Sequence, residues 1–380
     1  MFLPRHLARL TGVAACCLAL QAQADPVYTV TVVGNAGSAA YGLNGSGQVV
    51  GALATVGGNH AFLYDGVATL DLGTLGGTNS LAYGINDAGL VVGGAENLAG
   101  DQRPFSYAGG TMSDLGTLGG TTGFATAVNN AGQIVGSAGT AAAGPRAFLY
   151  AGGTMQNLGT LPSSGEFYSY AWAISDTGKI AGGSSAGDYT PPEPPYHAFV
   201  RCCSGTLTDL GTFGGQFSEA RGINDLGEVV GVSATDTLMI DHAFLYSGGT
   251  VQDLGTLPGD GYAEAFDINN LSQVVGRSFG SNLAFLYADD AMVALDTLID
   301  PLSDWTIVDA RGINDAQQIA GTACMAGTCY AVRLDLVSAV PEPGTVPMLA
   351  AGLGLLVLTR RYAGRTVRGT APRRASCAGS

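Results

Sequence analysis

The chain has 380 residues, with 59 glycines, 12% charged residues, 46% hydrophobic residues and a formal net charge of −14. Its acidic excess repels phosphate backbones, and Lys179 is its single lysine. This composition argues against nucleic-acid binding.

The N-terminal 24 residues have the layout of a secretory signal peptide. A start with two arginines is followed by an apolar run and by the small-residue cleavage site Ala22-Gln23-Ala24. We therefore predict a signal helix over residues 1–24 that is removed on export. The alternative is a lipoprotein cleavage box at Val13-Ala14-Ala15-Cys16, which leaves about seven apolar residues before the cut, the lower limit for such segments.

Residues 25–339 are built from internal repeats. The stretch Ala82–Gly93, AYGINDAGLVVG, has close copies that place an Asn or Ser at positions 44, 86, 129, 175, 224, 269 and 314. Each copy has the pattern of a β-hairpin, with two apolar runs joined by a turn in which Gly89 is expected at positive φ. The seven copies are 42 to 49 residues apart, a period typical of a propeller blade with several strands.

Each hairpin is followed by two more strand patterns. A short apolar strand such as HAFLY at 60–64 precedes a glycine-rich turn and a strand that ends in Asp-Leu-Gly-Thr-Leu. The seventh unit lacks this fourth strand, but Val27–Val33 precedes the first hairpin and can pair beside Tyr330–Asp335. We predict an all-β, seven-bladed β-propeller of four-stranded repeats closed by this N-terminal strand. An open solenoid would instead need caps.

The His-Ala-Phe triplets at 60, 197 and 242 resemble the HAF-repeat family of extracellular proteins, over nearly the whole mature chain. The resemblance assigns no established biochemical function. The three histidines occupy one repeat position, and equivalent positions in different blades point apart, so we predict no metal site there. Turn chemistry accounts for the Asn-Asp pairs and for the Asp of Asp-Leu-Gly, because Asn and Asp cap their own turns; calcium binding is the alternative. No cofactor is predicted.

The C-terminal region has three parts in a specific order. Val340-Pro341-Glu342-Pro343 precedes an apolar segment over 344–359, which precedes Arg360-Arg361. This order resembles a PEP-CTERM sorting signal over 340–361, followed by a basic tail over 362–380 that is longer than is usual in the family. The resemblance implies a C-terminal hydrophobic helix, transient insertion through 344–359, cleavage by an exosortase, and delivery to the surface or matrix of a Gram-negative bacterium. A permanent anchor is the alternative.

Removal of both ends changes the charge and the cysteine count. The body keeps eight basic and 29 acidic residues, a net charge of about −21, and four of the seven cysteines. Cys324 and Cys329 are predicted to close a small disulfide loop in an oxidising compartment. Cys202 and Cys203 form either a vicinal disulfide or two thiols.

Two long connections break the repeat on one face of the predicted propeller. They are Pro162–Tyr170 and Gly183–Tyr196, and irregular loops on a rigid scaffold commonly bind ligands. Aromatic faces beside carboxylates suit sugars and peptides. The candidate ligand-binding residues are Tyr168, Tyr170, Trp172, Asp188, Tyr189 and Tyr196. The alternative is a loop packed by its own aromatic residues.

Three functions are compatible with this pattern. The first is a non-enzymatic surface or matrix protein that binds exopolysaccharide or another surface protein. The second is a glycan-cleaving enzyme, which needs two carboxylates in a cleft; Glu166, Asp188 and Glu193 are the local candidates. The third is a purely structural matrix component. The G-x-S-x-G spacing at 183–187 lacks the following helix of a nucleophile elbow, so we predict no catalytic residue.

Overall fold

A computed structural model describes residues 27–141, 144–162, 167–187, 195–202, 205–235 and 240–337. The predicted signal helix and the sorting segment 340–361 lie outside these ranges. Inside them the secondary structure consists of β-strands and a single 3-10 turn at Leu295–Leu298, which confirms the all-β prediction. No helix in these ranges has the length and apolarity needed to cross a membrane.

The strands of the first half follow the predicted four-strand order. Unit 1 contains β2 (Ala39–Leu43), β3 (Val49–Ala54), β4 (Asn59–Tyr64) and β5 (Thr69–Asp71), and β1 (Val27–Ala36) precedes it. Unit 2 contains β6 (Gly76–Ile85), β7 (Val91–Asn97), β8 (Gln102–Ala108) and β9 (Thr111–Asp114). Unit 3 contains β10 (Gly119–Val128), β11 (Ile134–Thr140), β12 (Arg146–Ala151) and β13 (Thr154–Asn157).

The second half repeats this order. Unit 4 contains β14 (Ser169–Ile174), β15 (Ile180–Ser185), β16 (Tyr196–Arg201) and β17 (Thr208–Gly211). Unit 5 contains β18 (Gly214–Ile223), β19 (Val229–Thr235), β20 (Asp241–Ser247) and β21 (Thr250–Gly255). Unit 6 contains β22 (Tyr262–Ile268), β23 (Val274–Phe279), β24 (Leu283–Ala288) and β25 (Ala291–Ala294). Unit 7 contains β26 (Thr306–Ile313), β27 (Ile319–Met325) and β28 (Thr328–Val337).

Successive strands of a unit pair antiparallel. Units 1, 2 and 3 are separate four-stranded sheets, while units 4, 5 and 6 form one twelve-stranded sheet. Single parallel pairs join these three units, Tyr196 with Phe217 and Asp241 with Tyr262.

The N-terminal strand belongs to the last unit. β1 pairs antiparallel with β28, from Val27 beside Val337 to Val32 beside Val332, and the sheet order is β1-β28-β27-β26. The pairing predicted from the missing fourth strand is therefore present, and it joins segments about three hundred positions apart in the chain. Tyr28 is 2% exposed, so this strand contributes to the core as well as to the sheet.

The hydrophobic core lies between neighbouring units. Seven clusters of buried residues each combine side chains from two consecutive units, and one of them joins Ala320 and Ala331 of unit 7 to Val49 and Phe62 of unit 1. The last unit thus packs against the first. The Phe of the third strand is buried in six units, at positions 62, 105, 148, 199, 244 and 285.

Candidate ligand-binding site

The first strand of every unit carries a β-bulge at the same repeat position. Its pairing with the second strand shifts there by one residue, and a bulge redirects the side chain of the extra residue. The residues at the bulges are Tyr41, Tyr83, Thr126, Trp172, Arg221, Phe266 and Arg311. All of them line one cavity of about 390 Å³, which we call the bulge cavity.

A glycine in the second strand permits this bulge. A Cβ atom on Gly182 would lie 2.0 Å from the carbonyl oxygen of Tyr170, and one on Gly231 would lie 1.9 Å from that of Glu219. The equivalent glycines of the other units make the same approach. The Gly that ends each Val-Val-Gly, Ile-Val-Gly or Ile-Ala-Gly pattern is therefore required by close backbone packing.

Four of the six predicted ligand-binding residues lie together in unit 4. The rings of Tyr168 and Tyr196 stack with centroids 5.6 Å apart, and those of Tyr170 and Trp172 stack at 6.0 Å. Tyr168 also contacts Tyr170 at 6.2 Å. We call these four residues the aromatic wall.

The aromatic wall continues on both sides. Further rings follow it at centroid separations of 5.5 to 6.3 Å; they belong to Tyr41, Tyr83, Phe124 and Phe217. The other two predicted residues, Asp188 and Tyr189, lie outside the described residues. The row of aromatic rings thus extends well beyond the two irregular loops, along the first strands of units 1 to 5.

A buried carboxylate holds the aromatic wall in place. Glu219 is 6% exposed. Its Oε1 accepts hydrogen bonds from Trp172 Nε1 at 2.7 Å and from the Tyr196 hydroxyl at 3.0 Å, and its Oε2 pairs with Arg221 at 2.6 Å. Burial raises the pKa of Glu219, while Arg221 and the two donors oppose that rise by stabilising the carboxylate.

Burial also keeps the neighbouring tyrosine hydroxyls protonated. It raises the pKa of Tyr83 to about 12. It also raises the pKa of Tyr196 well above its ordinary value, with a further contribution from the charge of Glu219. Neutral hydroxyls on an apolar wall can both donate and accept hydrogen bonds.

Units 5 and 7 bring two guanidinium groups, those of Arg221 and Arg311, to the lining of the bulge cavity. The Arg221 guanidinium lies 4.7 Å from the Trp172 ring centroid, and the Arg311 guanidinium lies 3.9 Å from that of Phe266. Both contacts are cation–π geometry. Arg311 Nε also donates to Asp309 Oδ2 at 2.7 Å.

Three buried side-chain atoms have no hydrogen-bond partner within the described part of the chain, namely Arg221 Nε, Arg277 Nε and Asp309 Oδ1. Of these three residues, Arg221 lines the bulge cavity. Sequence reasoning did not identify Glu219, Arg221, Asp309 or Arg311. The sequence does contain a signal for the bulge position. Its residue type varies among Tyr, Thr, Trp, Phe and Arg, while its flanking residues stay nearly constant.

Asp267 adds a further carboxyl group to the cavity lining. It follows the bulge residue in unit 6, and its Oδ2 accepts a hydrogen bond from the Ile313 amide of unit 7 at 2.9 Å. Part of its surface faces the cavity, but protein encloses the rest. This burial raises the pKa of Asp267 to about 7, against the effect of the backbone donors.

The hairpin turns line a second cavity of about 280 Å³. The prediction that Asn and Asp cap their own turns is correct for Asn, since Asn86 Oδ1 accepts the amides of Ala88 and Leu90. It is wrong for the following Asp. Asp87 Oδ1 accepts the Gly45 amide of the preceding unit at 2.8 Å, because the turns lie side by side. These carboxylates therefore link units.

The HAF histidines lie on the third strand of their units and hold the fourth strand in place. His60, His197 and His242 each contact, through Nδ1, the Asp of the Asp-Leu-Gly segment in the same unit at 2.8 to 2.9 Å. In unit 6 both partners are replaced, by Leu283 and Ala294. In unit 2 Arg103 replaces the His and forms the equivalent ion pair with Asp114 at 3.0 Å.

Metal-binding geometry and disulfide bonds are described here for the ranges that the structure covers. No group of three or more His, Cys, Asp or Glu residues in them has metal-binding geometry. Cys324 and Cys329 form a disulfide across the β27–β28 hairpin, and Cys202 is an exposed free cysteine. Cys203 and the three carboxylates proposed for glycan cleavage, Glu166, Asp188 and Glu193, lie outside these ranges.

Two solved structures share the architecture. The β-propeller domain of the trilobed protease from Pyrococcus furiosus, described as having an open velcro topology, is 8% identical with a TM-score of 0.53, over 83% of this chain and 100% of that chain. YCF48 bound to a D1 peptide is 10% identical with a TM-score of 0.50, over 84% and 99%. At these identities the likeness concerns the fold alone, and it shows a β-propeller-like body.

At the level of sequence, no curated protein matches the chain. A family model described as the PEP-CTERM protein-sorting motif matches residues 339–365. This motif implies exosortase-dependent sorting and export from a Gram-negative bacterium with a membrane-anchoring step. The chain therefore joins a β-propeller-like body to a PEP-CTERM sorting motif.

Proposed function

We propose that this protein is an exported, non-enzymatic β-propeller that binds a glycan at the cell surface or in the extracellular matrix. The observation that carries the proposal is the continuous row of aromatic rings beside the Glu219–Arg221 ion pair. Flat aromatic faces pack against the apolar faces of sugar rings, while charged and amide groups bind the hydroxyls.

The proposed scaffold has seven blades, one for each unit, and is closed by β1 as the outer strand of the seventh. Two observations support closure. A hydrophobic cluster joins unit 7 to unit 1, and Asn314 Nδ2 donates to the Asn44 carbonyl oxygen at 3.0 Å, repeating the bond that other units make to their successor. Closure gives both terminal units a neighbour and leaves only the short outer edges of the blades, which limits edge-to-edge aggregation.

The proposed destination follows from both ends of the chain. The PEP-CTERM motif accounts for export, and the resemblance to the HAF-repeat family accounts for a surface or matrix location. In this proposal an exosortase removes the helix after transient insertion through 344–359. The acidic body is then free to contact exopolysaccharide or another surface protein, with Asp188 and Tyr189 extending the binding surface.

The rival glycan-cleaving function is less well supported by the described residues. A general acid needs a carboxyl that can approach the substrate. Both oxygens of Glu219 are already occupied by Trp172, Tyr196 and Arg221, so Glu219 acts as a positioning group. Among the described residues Asp267 is the one carboxyl that lines the bulge cavity, and cleavage needs a pair. A purely structural matrix role assigns the half-buried aromatic row no function beyond packing.

The experiment incubates the exported protein, purified from the surface or medium fraction, with the exopolysaccharide of the producing cell. Retention and newly released reducing ends are measured together. We expect retention without cleavage, and a loss of at least about tenfold in affinity for Trp172→Ala, equivalent to about 1.4 kcal/mol.

The matched control is Trp305→Ala, because Trp305 packs against Tyr330 away from the aromatic wall. It should leave retention unchanged. New reducing ends would favour the enzyme, and absence of both retention and cleavage would favour the structural role.

A further inference from the structure

We infer that the bulge cavity is a binding site for a monovalent carboxylate, held by the terminal nitrogens of Arg311 and by the hydroxyls of Tyr41 and Tyr83. All three residues line the cavity. The inference goes beyond the proposed function, because a carboxylate can bind here whether or not the protein attaches to exopolysaccharide.

Arg311 brings unused hydrogen-bond donors to the cavity. Its Nε donates to Asp309 Oδ2 at 2.7 Å and its guanidinium lies 3.9 Å from the Phe266 ring centroid, so the group is held in place. Its Nη1 and Nη2 donate to no acceptor in the ranges that the structure describes. The Arg311 side chain is 33% exposed, while that of Asp309 is 12% exposed and does not line the cavity. The cavity therefore contacts the guanidinium and not its carboxylate partner.

Two tyrosine hydroxyls lie near the same guanidinium. The rings of Tyr41 and Tyr83 pack with centroids 5.5 Å apart. Burial raises the pKa of both phenols, and the positive charge of Arg311 opposes that rise at each of them. Both hydroxyls are therefore within Coulombic reach of Arg311. Neither makes a hydrogen bond to another described residue, so both are donors without a protein acceptor.

This set of donors fits a carboxylate. A guanidinium group only donates, and its planar fork matches the two oxygens of a carboxylate. Among the described residues, the charged side chains that line the cavity are those of Arg221, Arg311 and Asp267. Since burial raises the pKa of Asp267 to about 7, that carboxyl is mostly neutral at pH 6. The lining then has two guanidinium groups and no full negative charge.

The charge of the whole body limits the ligand to one negative charge. The body keeps eight basic and 29 acidic residues, and Asp309 lies directly behind Arg311. Each further negative charge on a ligand is repelled by this field. The cavity volume of about 390 Å³ lies near the lower end of the ~300–1,000 Å³ range of small-molecule sites, which suits a small carboxylate or one acidic sugar residue.

The experiment uses the exported protein at pH 6 and low ionic strength, where screening is weak. Saturation-transfer NMR and titration measure the binding of acetate and of its neutral isostere acetamide, with the dianion sulfate added as a competitor of acetate. We expect saturable binding of acetate. Acetamide and sulfate should each bind at least about tenfold more weakly, because one lacks the charge-assisted hydrogen bonds and the other carries a second charge.

A fourth probe, methyl β-D-glucuronide, distinguishes two sources of the carboxylate. Binding about tenfold tighter than acetate, a gain of about 1.4 kcal/mol, assigns the site to an acidic sugar of a polymer. Equal or weaker binding assigns it to a small free carboxylate. Either result supports the site.

Substitutions test the three donors. Tyr41→Phe and Tyr83→Phe remove one hydroxyl each and keep the ring, so each should weaken acetate by about tenfold, the effect of losing one hydrogen bond to a charged group. Arg311→Gln should abolish saturable binding, because it removes the charge and the fork.

Two matched controls lie outside the cavity lining. Tyr330→Phe changes a tyrosine that packs against Trp305. Arg277→Gln changes an arginine that lies over the Phe279 ring. Both variants should bind acetate like the parent.

Circular dichroism checks that each variant is folded. Arg311→Gln leaves the buried Asp309 without its partner, so the two Phe variants carry the test if that protein unfolds. The inference would be overturned by absence of saturable acetate binding to the parent, by parent-like affinity in both Phe variants, or by acetamide or sulfate binding as tightly as acetate.

The two proposals fail separately. Retention on exopolysaccharide without acetate binding contradicts the carboxylate site and leaves the proposed function standing. Acetate binding that follows the expected variant pattern, without retention on the polymer, supports the carboxylate site and contradicts attachment to exopolysaccharide.

Discussion

The turn position occupied by Gly89 shows how a single residue type sets local stability. Gly89 has φ of 78°, in the left-handed region that glycine adopts without strain. The equivalents in units 6 and 7 are Ser272 and Gln317, with φ of 59° and 60°. Non-glycine residues in this region cost roughly 1–2 kcal/mol. Ser272 gains a compensating hydrogen bond to Glu228 at 2.6 Å, while Gln317 makes only a longer contact to Gln273 at 3.3 Å.

We therefore expect Gln317→Gly to stabilise the protein by about 1 kcal/mol, because it removes left-handed strain and loses little contact. Urea denaturation measures the free energy of unfolding. Gly89→Ala is the reciprocal change and should destabilise by a similar amount. A fall in stability for Gln317→Gly would contradict this account.

Asp267 occupies a position that is Gly or Ala in the other units. Its carboxyl bridges unit 6 to the Ile313 amide, and burial raises its pKa from 3.8 to about 7. The folded state therefore holds a proton that the unfolded state releases. The stabilisation is complete below the unfolded pKa and is lost as the pH rises towards 7.

Asp267→Asn keeps a neutral acceptor and removes this titration. Relative to the parent, the variant should gain about 2 kcal/mol of unfolding free energy between pH 5 and pH 8, less than the full shift allows because the carboxyl partly faces the cavity. Denaturation at both pH values provides the test. A pH-independent difference between the two proteins would refute it.

In the hairpins, one Asn side chain makes two structural hydrogen bonds, one inside its own turn and one to the neighbouring unit. Asn314 Oδ1 accepts the Gln318 amide at 2.9 Å inside its own turn, and its Nδ2 donates to the Asn44 carbonyl oxygen at 3.0 Å in the neighbouring turn. In unit 4 the equivalent Ser175 is too short for the second bond and contacts Thr177 instead. The hairpins are thus joined by side-chain amides.

We expect Asn314→Ala to cost about 2 kcal/mol, because it removes the turn cap and leaves the Asn44 carbonyl without its donor. Asn314→Asp separates the two effects, since it keeps the turn acceptor and loses the donor to unit 1. Thermal and urea unfolding should show it destabilised as well. Parent-like stability of Asn314→Asp would mean that the link between units 7 and 1 contributes nothing.

At the scale of the whole molecule, β1 connects the two ends of the described chain. Tyr28 is 2% exposed, while Val32 on the same strand is 44% exposed. Tyr28→Ala should lower the unfolding free energy by about 3–5 kcal/mol, and Val32→Ala by less than about 0.5 kcal/mol. Equal, small effects of both substitutions would show that β1 is not part of the cooperative core.

Processing is the second prediction at this scale. We expect cleavage after Ala24 and again near Pro341–Pro343, which releases an acidic body. Mass spectrometry of the surface or medium fraction measures both ends. A mature protein that retains Leu353–Leu358 would instead establish the permanent anchor.

Features that depend on neighbouring residues could be predicted from the amino-acid sequence alone. A turn glycine, an alternating strand and a repeat spacing of 42 to 49 residues are all local or periodic. They were sufficient to predict the all-β body, the four-strand order and the partner of the N-terminal strand, because an unpaired edge needs a complement. The sorting motif could be recognised from the sequence in the same way, because its parts are contiguous.

Which side chains meet depends on how distant parts of the chain pack together. Trp172 and Glu219 are 47 positions apart and Tyr196 and Glu219 are 23 apart, so no local pattern joins them. The bulge that turns Arg221 and Arg311 towards the cavity depends on a backbone register between strands. The aromatic residues were visible in the sequence, but their charged partners were brought to them by the packing of one unit against the next.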